Sequence, residues 1–316
     1  MPPSSALEAS TKSHSSADVS LGAKLLYNLK LLKLRLPGLF ENYDFAGTTT
    51  EQVEEVVALY EQRTGRIAAE STILEIGFGA RPMRSFALSC FFKQVYAVDL
   101  DALVMGPLDL PRVFMKNGIE RGLKSVARYF LFDLQHWRAF RKGMKARFPN
   151  YSEKKVTFVI GDASSDAVWA KLPERIDFVF SSDVFEHIPP ADLERLMTKL
   201  REHLQPGSII VTRPCVFTGI SGGHDLEWYP HLVDDNDGAT AWGHVIDKAF
   251  TVNTYVNRMP RREYAEMFKR TGFEILEDSS TMGELGAQHM TPAKRAELQE
   301  YDDYELFSNR VQFVLR

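Results

Sequence analysis

Short apolar runs separated by helical stretches organise the middle of the chain. Residues 72–76, 94–98, 156–160, 176–180 and 208–212 have strand length, and their Ile, Val, Leu and Phe content suits strands buried on both faces. Between them, residues 82–90 and 190–204 carry the helical period, the second stopping at Pro206-Gly207. Upstream, a helix is expected over 48–63. The capping-box pair Thr48 and Glu51 would open it, Val53, Val56, Val57 and Tyr60 share its face, and it ends before Gly65. Strands alternating with helices predict a parallel sheet with right-handed crossovers. The ending differs: a helix over 261–270 closed by Gly272, a strand over 273–276, and a last strand over 311–315 with no helix after it.

The turn after the first strand, Gly77-Phe78-Gly79, holds the most informative chemistry. Two glycines let a ligand come close to backbone without a Cβ in the way. Asp99 closes the next strand, where a carboxylate can accept hydrogen bonds from both hydroxyls of a ribose. A dinucleotide turn would place a third glycine at position 82, which is Pro82 here. The set Glu75, Gly77 and Gly79 instead resembles motif I of class I S-adenosylmethionine-dependent methyltransferases, although Arg81 stands where many members carry another glycine. The final strands are similar to the same family, whose sheet ends in an antiparallel hairpin with strand seven between five and six.

The resemblance spans roughly residues 70–316, with its pieces in family order. It implies an α/β fold: a Rossmann-like seven-stranded methyltransferase sheet with helices on both faces, an antiparallel C-terminal hairpin, a helical N-terminal extension and lid insertions. The expected organisation is a disordered tail over 1–20, the extension over 21–69, and the methyltransferase domain over 70–316, with insertions at about 101–155 and 214–259. Residues 21–39 set Lys24, Lys30, Lys33 and Arg35 among leucines. That pattern suits a helix packed on its own domain, or a basic amphipathic helix touching a membrane surface or covering the site.

Charge and cysteine narrow the partners. With 38 basic and 42 acidic residues the net charge is -4, which offers no general attraction for a nucleic-acid backbone. Cys90 and Cys215, expected to be buried, form no metal or disulfide spacing and fit a reducing, cytoplasmic setting. Nothing in the pattern calls for stable membrane insertion, and the sequence is silent on oligomeric state.

The resemblance implies that S-adenosyl-L-methionine lies over Gly77 and Gly79, with Glu75 orienting its amino group and Asp99 holding the ribose. Leu100 and Ser182 join the cofactor set. Asp162 and Ala163 fall where the adenine amine is commonly met; Asp162 is equally suited to cap the following helix. Asp183, Glu186 and His187 are spaced to share a helical face and are similar to the Glu-x-x-Glu-His of some metal-dependent methyltransferases, which would suit Mg²⁺ or Mn²⁺. The other reading is a helix start lining the cofactor pocket.

The insertions would choose the methyl acceptor. The first holds a basic run, Arg138, Arg141, Lys142, Lys145 and Arg147, facing an anionic acceptor or simply water. The second holds His224, His231 and His244 with Trp228, Tyr229 and Trp242. Its aromatics would stack on a sugar or aromatic acceptor, or form the lid's own small core. His224 is the foremost candidate base, with Asp225 or Glu227 to orient it, ahead of His231 and His187. The implied activity is O-methylation of a small molecule: a sugar, glycan or secondary metabolite. The segment ending in Asn257-Arg258-Met259 also looks like methyltransferases acting on saccharides. The Asn/Asp-Pro-Pro-Tyr pattern of amine-modifying nucleic-acid methyltransferases is missing after the fourth strand. Competing classes are a nicotinamide-dependent oxidoreductase, a non-catalytic partner that keeps the fold, and N- or peptide methylation.

Overall fold

The computed structural model describes residues 43–106, 109, 111, 113, 115, 122, 126, 128–251 and 255–316. The expected tail over 1–20 and the basic helix over 21–39 lie outside the described residues. Seven strands form one sheet: β1 (Thr72–Ile76), β2 (Gln94–Asp99), β3 (Val156–Ile160), β4 (Ile176–Ser182), β5 (Leu204–Arg213), β6 (Ile275–Ser280) and β7 (Val311–Leu315). Their order is β3-β2-β1-β4-β5-β7-β6. The first five are parallel, and β7 runs antiparallel to both β5 and β6. The sheet is therefore the one the sequence pattern and the resemblance imply. Strand order reverses between β1 and β4, so the chain leaves their carboxyl ends in opposite directions and opens a crevice there.

Helices delimited among the described residues are α1 (Phe45–Thr64), α2 (Met83–Leu88), α3 (Leu134–Arg147), α4 (Asp166–Trp169), α5 (Pro190–His203), α6 (Gly243–Ile246), α7 (Arg261–Arg270), α8 (Pro292–Glu297) and α9 (Asp303–Phe307). α1 starts three residues before the expected Thr48, because Asp44 caps it by accepting from the Gly47 N–H at 2.9 Å. β5 starts four residues before the expected 208, and its pairing with β4 is irregular between Ile176 and Phe178, where Pro206-Gly207 passes through the strand.

Alternation along the strands feeds two cores. Leu74 and Ile76 pack with α5 and α7 through Leu193, Leu196, Tyr264 and Phe268. Ile73 faces the other side with Val53, Val56, Phe86, Trp137 and Phe140 from α1, α2 and α3. A third core joins the second long connection to the chain's end: Ile220, Trp228, Val233 and Trp242 pack with Leu306 and Phe307. Trp228 and Trp242 are 2% and 0% exposed, so they are this connection's own interior and offer no stacking face. Two polar residues fasten it to the sheet. Glu305 accepts from the N–H groups of Arg261 and Arg262 at the start of α7 and from the Thr218 hydroxyl. Asn309 accepts from the Ser221 N–H at 2.9 Å. Cys90 and Cys215 are free and half-buried, less enclosed than the sequence suggests. No helix among the described residues is long and apolar enough to cross a membrane.

Candidate functional site

Gly77 and Gly79 hold φ values of 80° and 66°, the left-handed region that favours glycine. A Cβ on Gly77 would sit 2.0 Å from a Val184 methyl, so the turn after β1 and the segment after β4 meet face to face. A Cβ on Gly79 would meet nothing within 4 Å, which leaves this backbone open. Glu75 is fully buried below the turn. Its carboxylate accepts from Arg84 Nε at 2.5 Å and from the Ser85 hydroxyl, and Arg84 also donates to the Gly77 carbonyl at 3.2 Å. The sequence reading missed Arg84 and Ser85. Their only signal is position, on the first turns of the helix that follows the glycines.

Asp99 closes the turn from the side of β2. Its Oδ2 accepts from the Gly79 N–H at 2.7 Å and its Oδ1 from the Asp101 N–H at 3.0 Å. Burial raises its pKa, against the pull of those two amides. Leu100 beside it is 58% exposed, an apolar side chain left uncovered at the crevice. After β3, Asp162 accepts from the Ser164 N–H at 2.8 Å and closes a local turn; the following helix α4 has Ser165 as its N-cap, so Asp162 does not take the expected helix-capping role. The Ala163 carbonyl accepts from Trp169 Nε1 at 2.7 Å, and the Ser182 hydroxyl donates to Asp183 at 3.0 Å.

The segment after β4 departs from expectation. Residues Phe185–His187 form a single 3₁₀ turn and Asp183 sits at φ 58°, so the helical face that would have joined Asp183, Glu186 and His187 does not exist. Asp183 is exposed and pairs with Arg310 Nε at 2.8 Å. His224 takes its place: Glu186, His187 and His224 bring one ligand-type atom each to within 4.8 Å of one another. Two imidazoles and one carboxylate do not suit Mg²⁺, which takes oxygen ligands and usually keeps several waters.

This trio is unusual in its bonding. Glu186 is 2% exposed, and neither carboxylate oxygen has a hydrogen-bond partner. Burial, helped by the charge of Asp183, pushes its pKa up to about 8; the nearby Glu186 and Cys215 amides and Arg310 pull the other way. His224 Nε2 is likewise buried without a partner. Burial, with the neighbouring His187 second, lowers the His224 pKa to about 4, so the ring is neutral at pH 7. The two rings stand edge to face, 5.0 Å apart. His187 Nδ1 lies 2.8 Å from the Tyr255 carbonyl, which can only accept, so Nδ1 carries a proton and Nε2 is the ring nitrogen left for another partner.

Asn257 was not read as a site residue, yet it fixes this turn. Its side chain donates to the carbonyls of Phe185 at 2.8 Å and Ile188 at 3.1 Å, and its N–H donates to the Glu186 carbonyl at 2.8 Å. His231 is exposed on the turn Pro230–Leu232 and stands outside the trio. His244 is buried and donates from Nε2 to the Phe217 carbonyl at 2.8 Å, a structural role. In the basic run, Arg141 is paired with Glu153 and Arg147 with Asp44, while Arg138, Lys142 and Lys145 are exposed.

Residues 49–278 match the model of a methyltransferase domain. No curated protein matches the chain. Among solved structures, the chain is similar to an S-adenosylmethionine-dependent methyltransferase from Clostridium acetobutylicum at 9% identity and TM-score 0.44, covering 92% of this chain and 98% of that one. It is also similar to the CcbJ methyltransferase from Streptomyces caelestis at 16% identity and TM-score 0.44, covering 85% and 88%. A third is magnesium protoporphyrin IX methyltransferase from Synechocystis, at 12% identity and TM-score 0.43, covering 92% and 97%.

Proposed function

The chain belongs to the class I S-adenosylmethionine-dependent methyltransferases, and from that premise we propose that it methylates an oxygen atom of a small molecule: a sugar, glycan or secondary metabolite. In this reading the cofactor's methionine portion lies along the turn of Gly77 and Gly79, over the open backbone at Gly79 and near Ser182. Asp99 holds the ribose, and Leu100, Asp162 and Ala163 border the adenine. Glu75 acts at one remove, through Arg84 and Ser85, by fixing the turn.

Methyl transfer is an in-line displacement at a carbon already activated by the sulfonium, so positioning and water exclusion do most of the work. A hydroxyl acceptor must also lose its proton as the new bond forms. The single observation that supports the oxygen reading is the trio: Glu186 and His187 on the segment after β4 whose Val184 faces Gly77, and His224 brought to them from the second connection, with the Glu186 oxygens and His224 Nε2 buried and unpartnered. Of the three candidate bases, His224 fits this best, His187 lies beside it, and exposed His231 fits least. The second connection, with its own core, would cover the acceptor.

Incubating the protein with methyl-labelled S-adenosylmethionine and small-molecule extract fractions, then locating the label by NMR, tests the reading. An O-methyl product is expected. Label found on nitrogen or on protein overturns the choice of acceptor. His224→Ala should lower turnover by about 10²–10⁴-fold, the usual worth of a positioned acid or base, while S-adenosylhomocysteine still binds; unchanged turnover removes His224 from the chemistry.

A further inference from the structure

Three features of the trio need a common cause. Glu186 is buried with both oxygens unpartnered, His224 Nε2 is buried and unpartnered, and His187 presents Nε2 because its other nitrogen donates to a backbone carbonyl. A protein interior normally satisfies such groups, so three ligand-type residues that converge with these atoms unpartnered call for a cation or for a polar group from outside. The bond from His187 to the Tyr255 carbonyl is the support that metal-bound imidazoles ordinarily have, since it fixes tautomer and ring plane together. The loop carrying His224 is held just as firmly. His224 itself sits at φ 52°, a conformation side chains other than glycine rarely adopt, and a Cβ on Gly223 would collide with the His244 ring at 2.6 Å. Asn257 clamps the opposite side of the cluster through the Phe185 and Ile188 carbonyls.

We propose that Glu186, His187 and His224 form a binding site for a divalent transition metal of the zinc class, whose remaining positions are left for water or the acceptor's oxygen. Two imidazoles and one carboxylate are a donor set for Zn²⁺ and its borderline neighbours. Around such an ion the ligand atoms would stand about 3.4 Å apart. The present upper limit of 4.8 Å closes to that with side-chain shifts of about an ångström. This inference rests on the proposed acceptor site and deepens it. A hydroxyl bound at the open position is acidified and releases its proton to solvent water; the oxygen then forms its bond to the methyl carbon as the carbon–sulfur bond breaks, leaving neutral S-adenosylhomocysteine. His224 would then serve as a ligand, with the metal doing what a base otherwise does.

The test uses the full chain, stripped with chelator, titrated with Co²⁺ alone and followed by its visible d–d absorption, with Zn²⁺ competition and S-adenosylhomocysteine calorimetry alongside. Stoichiometric Co²⁺ uptake with the intense bands of a low-coordinate site, displaced by Zn²⁺, is expected. His224→Ala and Glu186→Gln should each weaken Co²⁺ binding by at least about 100-fold, since even changes to supporting residues cost 10–100-fold. Both should still bind S-adenosylhomocysteine, which shows they are folded. Asp183→Asn should leave the spectrum unchanged. A wild-type chain that takes up no Co²⁺, or uptake indifferent to His224→Ala and Glu186→Gln, overturns the metal site. Failure of wild type to bind S-adenosylhomocysteine would instead undermine the cofactor assignment.

Discussion

Asp99 gives one acceptor position on each oxygen to backbone, to the Gly79 and Asp101 amides. A carboxylate offers about four such positions. The remainder are enough for the two hydroxyls of a ribose. Asp99→Ala should therefore weaken S-adenosylhomocysteine binding by about 1–3 kcal/mol, measured by calorimetry, because the amides lose their partner as well as the ribose. Unchanged affinity would take the ribose role from Asp99. The glycine turn and this acid were legible in the sequence because both express backbone needs at fixed spacing. Glu75 was legible only as a position. Its partners Arg84 and Ser85 depend on which side of α2 faces the turn. The Asp183 expectation failed for a definite reason: the i, i+3, i+4 rule holds on an α-helix, and the chain here makes one 3₁₀ turn after a left-handed residue. His224, thirty-seven residues downstream of His187, could join the cluster only through folding of the intervening connection.

Elements place the trio. The turn Phe185–His187 has no helix of its own to hold it, so its carbonyls are tied to Asn257. Asn257→Ala should lower stability by about 1–3 kcal/mol in urea unfolding, since the lost amide leaves those carbonyls without that donor. Turnover should fall more than S-adenosylhomocysteine affinity, because the glycine turn and Asp99 are untouched. Equal losses in both would mean that Asn257 supports the whole crevice. α6 gives a pH prediction. Burial holds the His244 pKa near 4, against an ordinary value of 6.5, despite the raising effect of its bond to the Phe217 carbonyl. Below pH 6.5 the unfolded chain takes up a proton that the folded chain refuses, so stability present above that pH drains away toward pH 4. Between pH 7 and pH 5 the His244 contribution should fall by about 2 kcal/mol. The comparison of wild type with His244→Gln across that range checks it; parallel curves would show that His244 ionises normally. α1 shows why element edges were harder to read than elements: Thr48 and Glu51 offer a valid capping box, but Asp44 caps one turn earlier and wins.

At the scale of the whole molecule, elements from three of the apolar clusters build the crevice. The two cores against the sheet supply β1, β2 and β4, and the third supplies the loop that delivers His224. The parallel sheet was legible in the alternation and its strand order in the family resemblance; a core of Trp228 and Trp242 was one of the two readings of those aromatics, but their partners Leu306 and Phe307 were not anticipated, since they come from a stretch more than forty residues away. A ligand seated in the crevice touches groups fastened by more than one core, so it should resist unfolding of the molecule as a unit. Linkage sets the size: at one hundred times its dissociation constant a ligand that binds only the folded state adds about 2.7 kcal/mol. In a chain of this length that amounts to roughly 5 °C in the melting midpoint. S-adenosylhomocysteine should produce that shift in a thermal-unfolding scan, and NADH at the same concentration should produce none, because Pro82 stands where close helix–strand packing under a pyrophosphate needs glycine. The reverse ranking would return the crevice to a dinucleotide.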